Sequence, residues 1–72
     1  MDLEDLPEML RVEEAAQALR ISRSRAYEEA AAYQRTGGTL GMPSIRIGRS
    51  LRVPKRALLE WIEDKLQDPT AA

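Results

Sequence analysis

Cysteine, histidine and phenylalanine are all missing from this 72-residue chain, and its aromatic content is one Trp and two Tyr. Without Cys no disulfide can form. Without Cys or His a structural zinc site would need carboxylates alone, which zinc does not favour. The missing histidine also leaves a serine such as Ser22 with nothing to activate it as a nucleophile. No run approaches the roughly 20 apolar residues of a membrane span, and no basic-then-apolar leader opens the chain. These absences point to a soluble, cytoplasmic protein that is not an enzyme, with no metal, no cofactor, no membrane contact and no small-molecule ligand.

What is present is enough for one compact domain. Hydrophobic residues make up 43% of the chain, near the lower size limit at which a core can support itself. The formal net charge is only -1, but its distribution is uneven. Residues 1–19 hold six carboxylates against Arg11, a net of −5, and residues 57–72 hold four against Lys65, a net of −3. Between them, residues 20–56 carry nine basic side chains against Glu28 and Glu29, a net of +7. A segregated basic block bears on nucleic-acid binding more than total charge does.

The hydrophobic period divides the chain further. Residues 1–9, with Pro7 and no sustained period, read as a flexible acidic arm. Val12, Ala15, Ala16 and Leu19 fall at i, i+3, i+4 and i+7, the stripe of an amphipathic helix over about 12–19, with Glu13 and Glu14 favoured at its positive end. Ser22 is suited to cap a second helix, "RSRAYEEAAAYQR", whose Ala26, Ala30 and Tyr33 face inward while Ile21 plugs the turn. The short corner between them has helix-turn-helix spacing. "TGGTLGMP" reads as a loop; it lacks the phosphate-loop pattern and is expected to be a flexible connector.

Two period-2 runs around "GRS" predict a β-hairpin, with Ile45, Ile47, Leu51 and Val53 toward the core and Arg46 and Arg52 toward solvent. Pro54 is expected to open a third helix on the stripe Leu58, Ile62 and Leu66, with Trp61 at the centre of the core. The domain is thus expected over 10–67, followed by a disordered tail, 68–72. The fold class is mainly α with a small antiparallel hairpin.

The second helix offers Arg23, Ser24, Arg25 and Glu28 at its outward N-terminal end. Arg can read guanine bidentately and Glu can accept from the cytosine amino group, so this helix could lie in a major groove. The competing reading is a helical hairpin with a charged solvent face. The hairpin places Arg49 and Ser50 at its tip, where an arginine can enter a minor groove while Arg46 and Arg52 meet phosphates. Its bland counterpart is a surface hairpin whose arginines pair with carboxylates. Tyr33 is read as a core residue and Tyr27 as partly core, partly phosphate contact.

Together, "LRVEEAAQALRISRSRAY" and "SIRIGRSLRVPKRALLEWI" resemble the excisionase-type winged helix-turn-helix domains, relatives of the MerR DNA-binding head, over about Leu10 to Ile62. The resemblance implies a second helix in the major groove and a wing in the adjacent minor groove. That maps Arg23, Ser24, Arg25, Tyr27, Glu28, Arg46, Arg49, Ser50 and Arg52 as DNA-binding residues. It further implies a small factor that bends attachment-site DNA and assists an integrase in excision, or a compact transcriptional regulator. Double-stranded DNA, an integrase and further copies of the chain on DNA are the expected partners. A protein-interaction adaptor using the acidic ends is the rival from another class.

Two positions and one link depart from the family pattern. Arg11 stands where Ser or Thr often caps the first helix, Arg20 where Gly often turns the corner, and the link Arg35 to Pro43 is longer than usual.

Overall fold

In the computed structural model, which describes residues 5–67, the order of elements is β1 (Met9–Arg11), α1 (Val12–Leu19), α2 (Arg23–Arg35), β2 (Ile45–Ile47), β3 (Ser50–Pro54) and α3 (Lys55–Gln67). The three strands form one antiparallel sheet in the order β1-β3-β2. The chain is therefore mainly helical with a small β wing, as its sequence predicts. Residues 1–4 and 68–72, which include the predicted tail, lie outside the described residues.

Both helices of the helix-turn-helix start and stop where local chemistry demands. Arg11 is extended before α1, and its N–H donates to the Glu14 carboxylate at 2.8 Å. Only this half of a capping box exists, because a guanidinium has no acceptor to offer in return. At the other end Arg20 adopts the left-handed conformation (φ 59°, ψ 43°). Its N–H donates to the Gln17 carbonyl and that of Ile21 to the Ala16 carbonyl, the paired bonds of a Schellman stop. Ser22 then caps α2, its Oγ accepting from the Arg25 N–H at 3.1 Å. Ala15 and Ala16 of α1 are buried, as are Ala26 and Ala30 of α2. Such small side chains let two short helices approach closely across a tight corner.

Several of the sequence expectations are corrected here. Residues 5–9 are not a flexible arm: Leu6 is buried, the Glu8 carbonyl accepts from the Lys55 N–H at 2.8 Å, and Met9 begins β1. Leu10 in this strand is fully buried against its register partner Val53. β1 gives the hairpin a third strand, and two strands alone are marginal in water.

Pro54 closes β3 opposite Met9, and α3 starts one residue later. Trp61 is partly buried at the margin of the core, whose largest fully buried side chains are Leu10, Met42, Leu58, Val12 and Val53. Leu66 is 70% exposed, because α3 carries it about 12 Å beyond Leu58 and past the packed body. Ile21 is exposed at the turn and does not plug it.

A further correction concerns the hairpin pleat. Ile47 pairs with Ser50, Arg46 with Leu51 and Ile45 with Arg52. Ile45 and Ile47 therefore lie on the same sheet face as Arg52, opposite to that of Leu51 and Val53, and both are exposed. A three-residue "GRS" loop would have put all four apolar residues on one face. The loop has two residues, Gly48 and Arg49, and one residue of slip inverts β2. Gly48 has φ 62°, and among the described residues Arg20 is the one non-glycine at positive φ, so the turn has the II′ pattern suited to strand twist.

The long link between α2 and the wing is tied down and is no loose connector. Thr36 Oγ1 donates to the Ala32 carbonyl and accepts from the Leu40 N–H, and the Met42 N–H donates to the Glu29 carbonyl. Ser44 is buried, where its Oγ and carbonyl both accept from Gln34 Nε2. Met42 itself is fully buried. This docking fixes where the wing leaves the helical body.

Candidate nucleic-acid interface

The outward side of α2 is built by its own periodicity. With Ala26 and Ala30 buried, Ser24 and Glu28, one turn apart, occupy the opposite ridge. Arg23 and Tyr27 share the flank toward α1, and Arg25 lies on the other flank. Arg25 sits 3.9 Å from Glu28 and 3.8 Å from Glu29, long contacts from a largely exposed guanidinium and so loosely held. The side chains of Arg23, Arg25 and Glu28 are 74%, 64% and 70% exposed. All three are exposed enough for a ligand along the helix to reach them.

On the α1 flank the Tyr27 hydroxyl donates to Glu13 Oε2 at 2.7 Å, and Arg23 Nη2 stands 3.9 Å from the same oxygen. The Tyr27 hydroxyl holds the Glu13 carboxyl below the usual carboxylate range, helped by a backbone N–H and by the charges of Arg23 and Arg11. The same bond raises the Tyr27 phenol above its ordinary value, with desolvation and the Glu13 charge adding to it and Arg23 opposing. Tyr27 is thus an exposed polar contact to α1 and not a core residue.

The wing completes the site. A cleft of about 310 Å³ runs between it and the helix-turn-helix, lined by Arg11, Glu13, Tyr27, Arg46, Arg49, Ser50 and Arg52 with the apolar Val12 and Leu51 at its floor. Four guanidinium groups face one carboxylate. Arg11 and Arg52 are direct partners across β1 and β3, where like charges repel. Arg52 Nη1 donates to the Leu51 carbonyl at 2.9 Å, a neutral acceptor that leaves its charge unbalanced. Such a cleft attracts a polyanion.

Of the residues the sequence nominates, the cleft brings together Tyr27, Arg46, Arg49, Ser50 and Arg52. Arg23 joins them through Glu13; Ser24 and Glu28 on the outer ridge of α2, and Arg25 on its far flank, stand apart from the cleft. Arg46 and Arg52 leave opposite faces of the hairpin, yet both reach the cleft.

Sequence reasoning missed Arg11 and Glu13. In sequence the first reads as a poor cap, and the strand that aims it is too short to show a period. The second reads as a helix-dipole partner, and its contact with Tyr27 lies across the tertiary corner.

Two short helices at a tight corner, followed by a hairpin with a basic tip, define a winged helix-turn-helix protein. Residues 9–66 match the sequence pattern of a helix-turn-helix domain family, one of excisionase-like domains, and the chain belongs to it. DNA binding follows from that membership. No curated protein and no solved structure matches the chain. No helix among the described residues is long and apolar enough to cross a membrane.

Proposed function

We propose that the protein is a sequence-specific, non-enzymatic binder of double-stranded DNA that serves as a phage or mobile-element excisionase. The observation that carries the reading is the basic cleft joining Tyr27 to Arg46, Arg49 and Arg52, in a domain of the excisionase-like family. In this reading α2 enters the major groove with Arg23, Ser24, Arg25 and Glu28 at base edges or phosphates. Arg49, at the two-residue tip, reaches the adjacent minor groove, and Arg46 and Arg52 take the phosphates between. Bending the duplex toward the protein lets helix and wing engage at once, the deformation being offset by the added contacts.

A module of this size covers only about 600–1,000 Å² of protein surface on DNA, so selectivity calls for several copies on neighbouring sites. The partner in the reaction is an integrase, whose excision reaction the bent DNA favours.

The test is an excision assay with the integrase of the same element, run with and without this protein on its attachment sites. Excision that rises with the protein supports the reading. Unchanged excision together with repression of a nearby promoter would make it a transcriptional regulator. Salt-independent or absent binding to all duplexes would make it a protein-interaction adaptor.

A further inference from the structure

Glu13 is the one carboxylate among the described residues that line the basic cleft. It is also engaged there: its Oε2 accepts from the Tyr27 hydroxyl at 2.7 Å and lies 3.9 Å from Arg23 Nη2. A phenol and a guanidinium converging on one anionic oxygen is the arrangement with which proteins hold a phosphate oxygen. The side chain is well placed for displacement. Glu13 is only partly buried, and Arg23 and Tyr27 are exposed.

We propose that Glu13 is an internal competitor for DNA phosphate, holding Tyr27 and Arg23 until a duplex displaces it and so weakening attachment to DNA of any sequence. The proposal rests on DNA binding through this cleft and does not depend on the excisionase reading. Four arginines lining one cleft would otherwise bind any duplex through charge alone. A fixed anion among them subtracts from that attraction equally for every sequence. It sets a threshold, so that contacts from α2 and the wing tip to bases must make up the difference.

Gln is close to Glu in shape and keeps an amide oxygen for the Tyr27 hydroxyl, so Glu13→Gln removes the charge with little else. The experiment is fluorescence-anisotropy titration of a random-sequence 20-base-pair duplex with the whole chain at two ionic strengths. Glu13→Gln should tighten binding by about three- to tenfold at low salt, with the gain shrinking as salt screens the repulsion. The gain should be smaller in a Tyr27→Phe background, where no hydroxyl remains to be released.

Unchanged or weaker binding by Glu13→Gln, with an unchanged circular-dichroism spectrum, would overturn the proposal. Should that variant not fold, carbon-13 NMR of the Glu13 carboxyl in the wild-type chain decides. Its titration should move upward on adding duplex, and an unmoved titration overturns the proposal. A wild-type chain that binds no duplex at any salt overturns DNA binding itself, a different outcome.

Discussion

Across the wing Ile47 pairs with Ser50, so Gly48 and Arg49 alone make the tip. The pairing decides which apolar residues hold the wing to the body. Val53 is fully buried beside Leu10, whereas Ile47 is 59% exposed. Val53→Ala should therefore cost about 2–3 kcal/mol through lost transfer and a residual cavity, and Ile47→Ala no more than about 0.5 kcal/mol. Urea unfolding followed by circular dichroism measures both. Similar losses from the two variants would contradict the observed register.

A second prediction concerns the corner of the helix-turn-helix. Arg20 holds φ 59° with no glycine to make it easy. For an L-residue the left-handed region carries a cost of about 1–2 kcal/mol, part of which glycine gives back through its freer unfolded chain. Arg20→Gly should raise stability by about 0.5–1 kcal/mol, seen as a higher Tm. A lower Tm would mean that the arginine side chain contributes more than its backbone costs.

The link before the wing makes the opposite case. Gly41 has φ +90°, and a Cβ there would overlap the Glu29 carbonyl and stand 2.7 Å from the Tyr33 nitrogen. Both neighbours are backbone of α2 and cannot step aside. Gly41→Ala should destabilise by about 2–4 kcal/mol, a large share of what a small domain possesses. Gly37, also at positive φ but with nothing within 4 Å of such a Cβ, should tolerate Ala better. Thermal unfolding of the two variants checks the difference.

The bond between Tyr27 and Glu13 predicts a pH window. Glu13 titrates lower in the fold than in the unfolded chain, so its contribution is fully present above the ordinary glutamate range and is lost as pH falls through the depressed folded value. Tyr27 titrates higher in the fold, so its contribution is present below the ordinary tyrosine range and is lost as pH rises through the raised folded value. One hydrogen bond thus supports the corner across the whole neutral range and fails at both ends. Tyr27→Phe should flatten the Tm profile at the acid and the alkaline edge together. A profile flattened at one edge only would mean that another group carries the other.

How far such features could be read from the residues depends on the range of the interactions behind them. The stripe Val12, Ala15, Ala16 and Leu19, and the cap at Ser22, are local patterns, so α1 and α2 are legible to the residue. β1 has three residues and no period, and Leu10 becomes a strand position only because Val53 lies beside it. The wing was legible as a hairpin but not in register, since a two- or three-residue turn fits the same letters and only the turn sets the parity. Met42 hides in a glycine-rich link because glycine signals irregular backbone and says nothing about burial. At the site, the arginines of the wing were visible as charges. Their meeting with Tyr27, Glu13 and Arg11 exists only in the folded chain.

The last prediction separates the parts of that site by salt. Arg49 stands at the wing tip, and Arg46 lies behind it on the strand that precedes the turn. An arginine that neutralises one phosphate adds about 0.9 to the slope of log K against log salt on duplex DNA. Arg46→Ala should reduce that slope by about one and weaken random and selected duplexes alike. Arg49→Ala, if the tip reads minor-groove shape, should weaken duplexes with a narrow A·T-rich minor groove at the wing position more than those with G·C pairs there. Anisotropy titrations over a salt series on the two duplex types measure both effects. Equal losses on both duplexes for Arg49→Ala would reduce the tip to a phosphate contact, leaving α2 as the only reader of sequence.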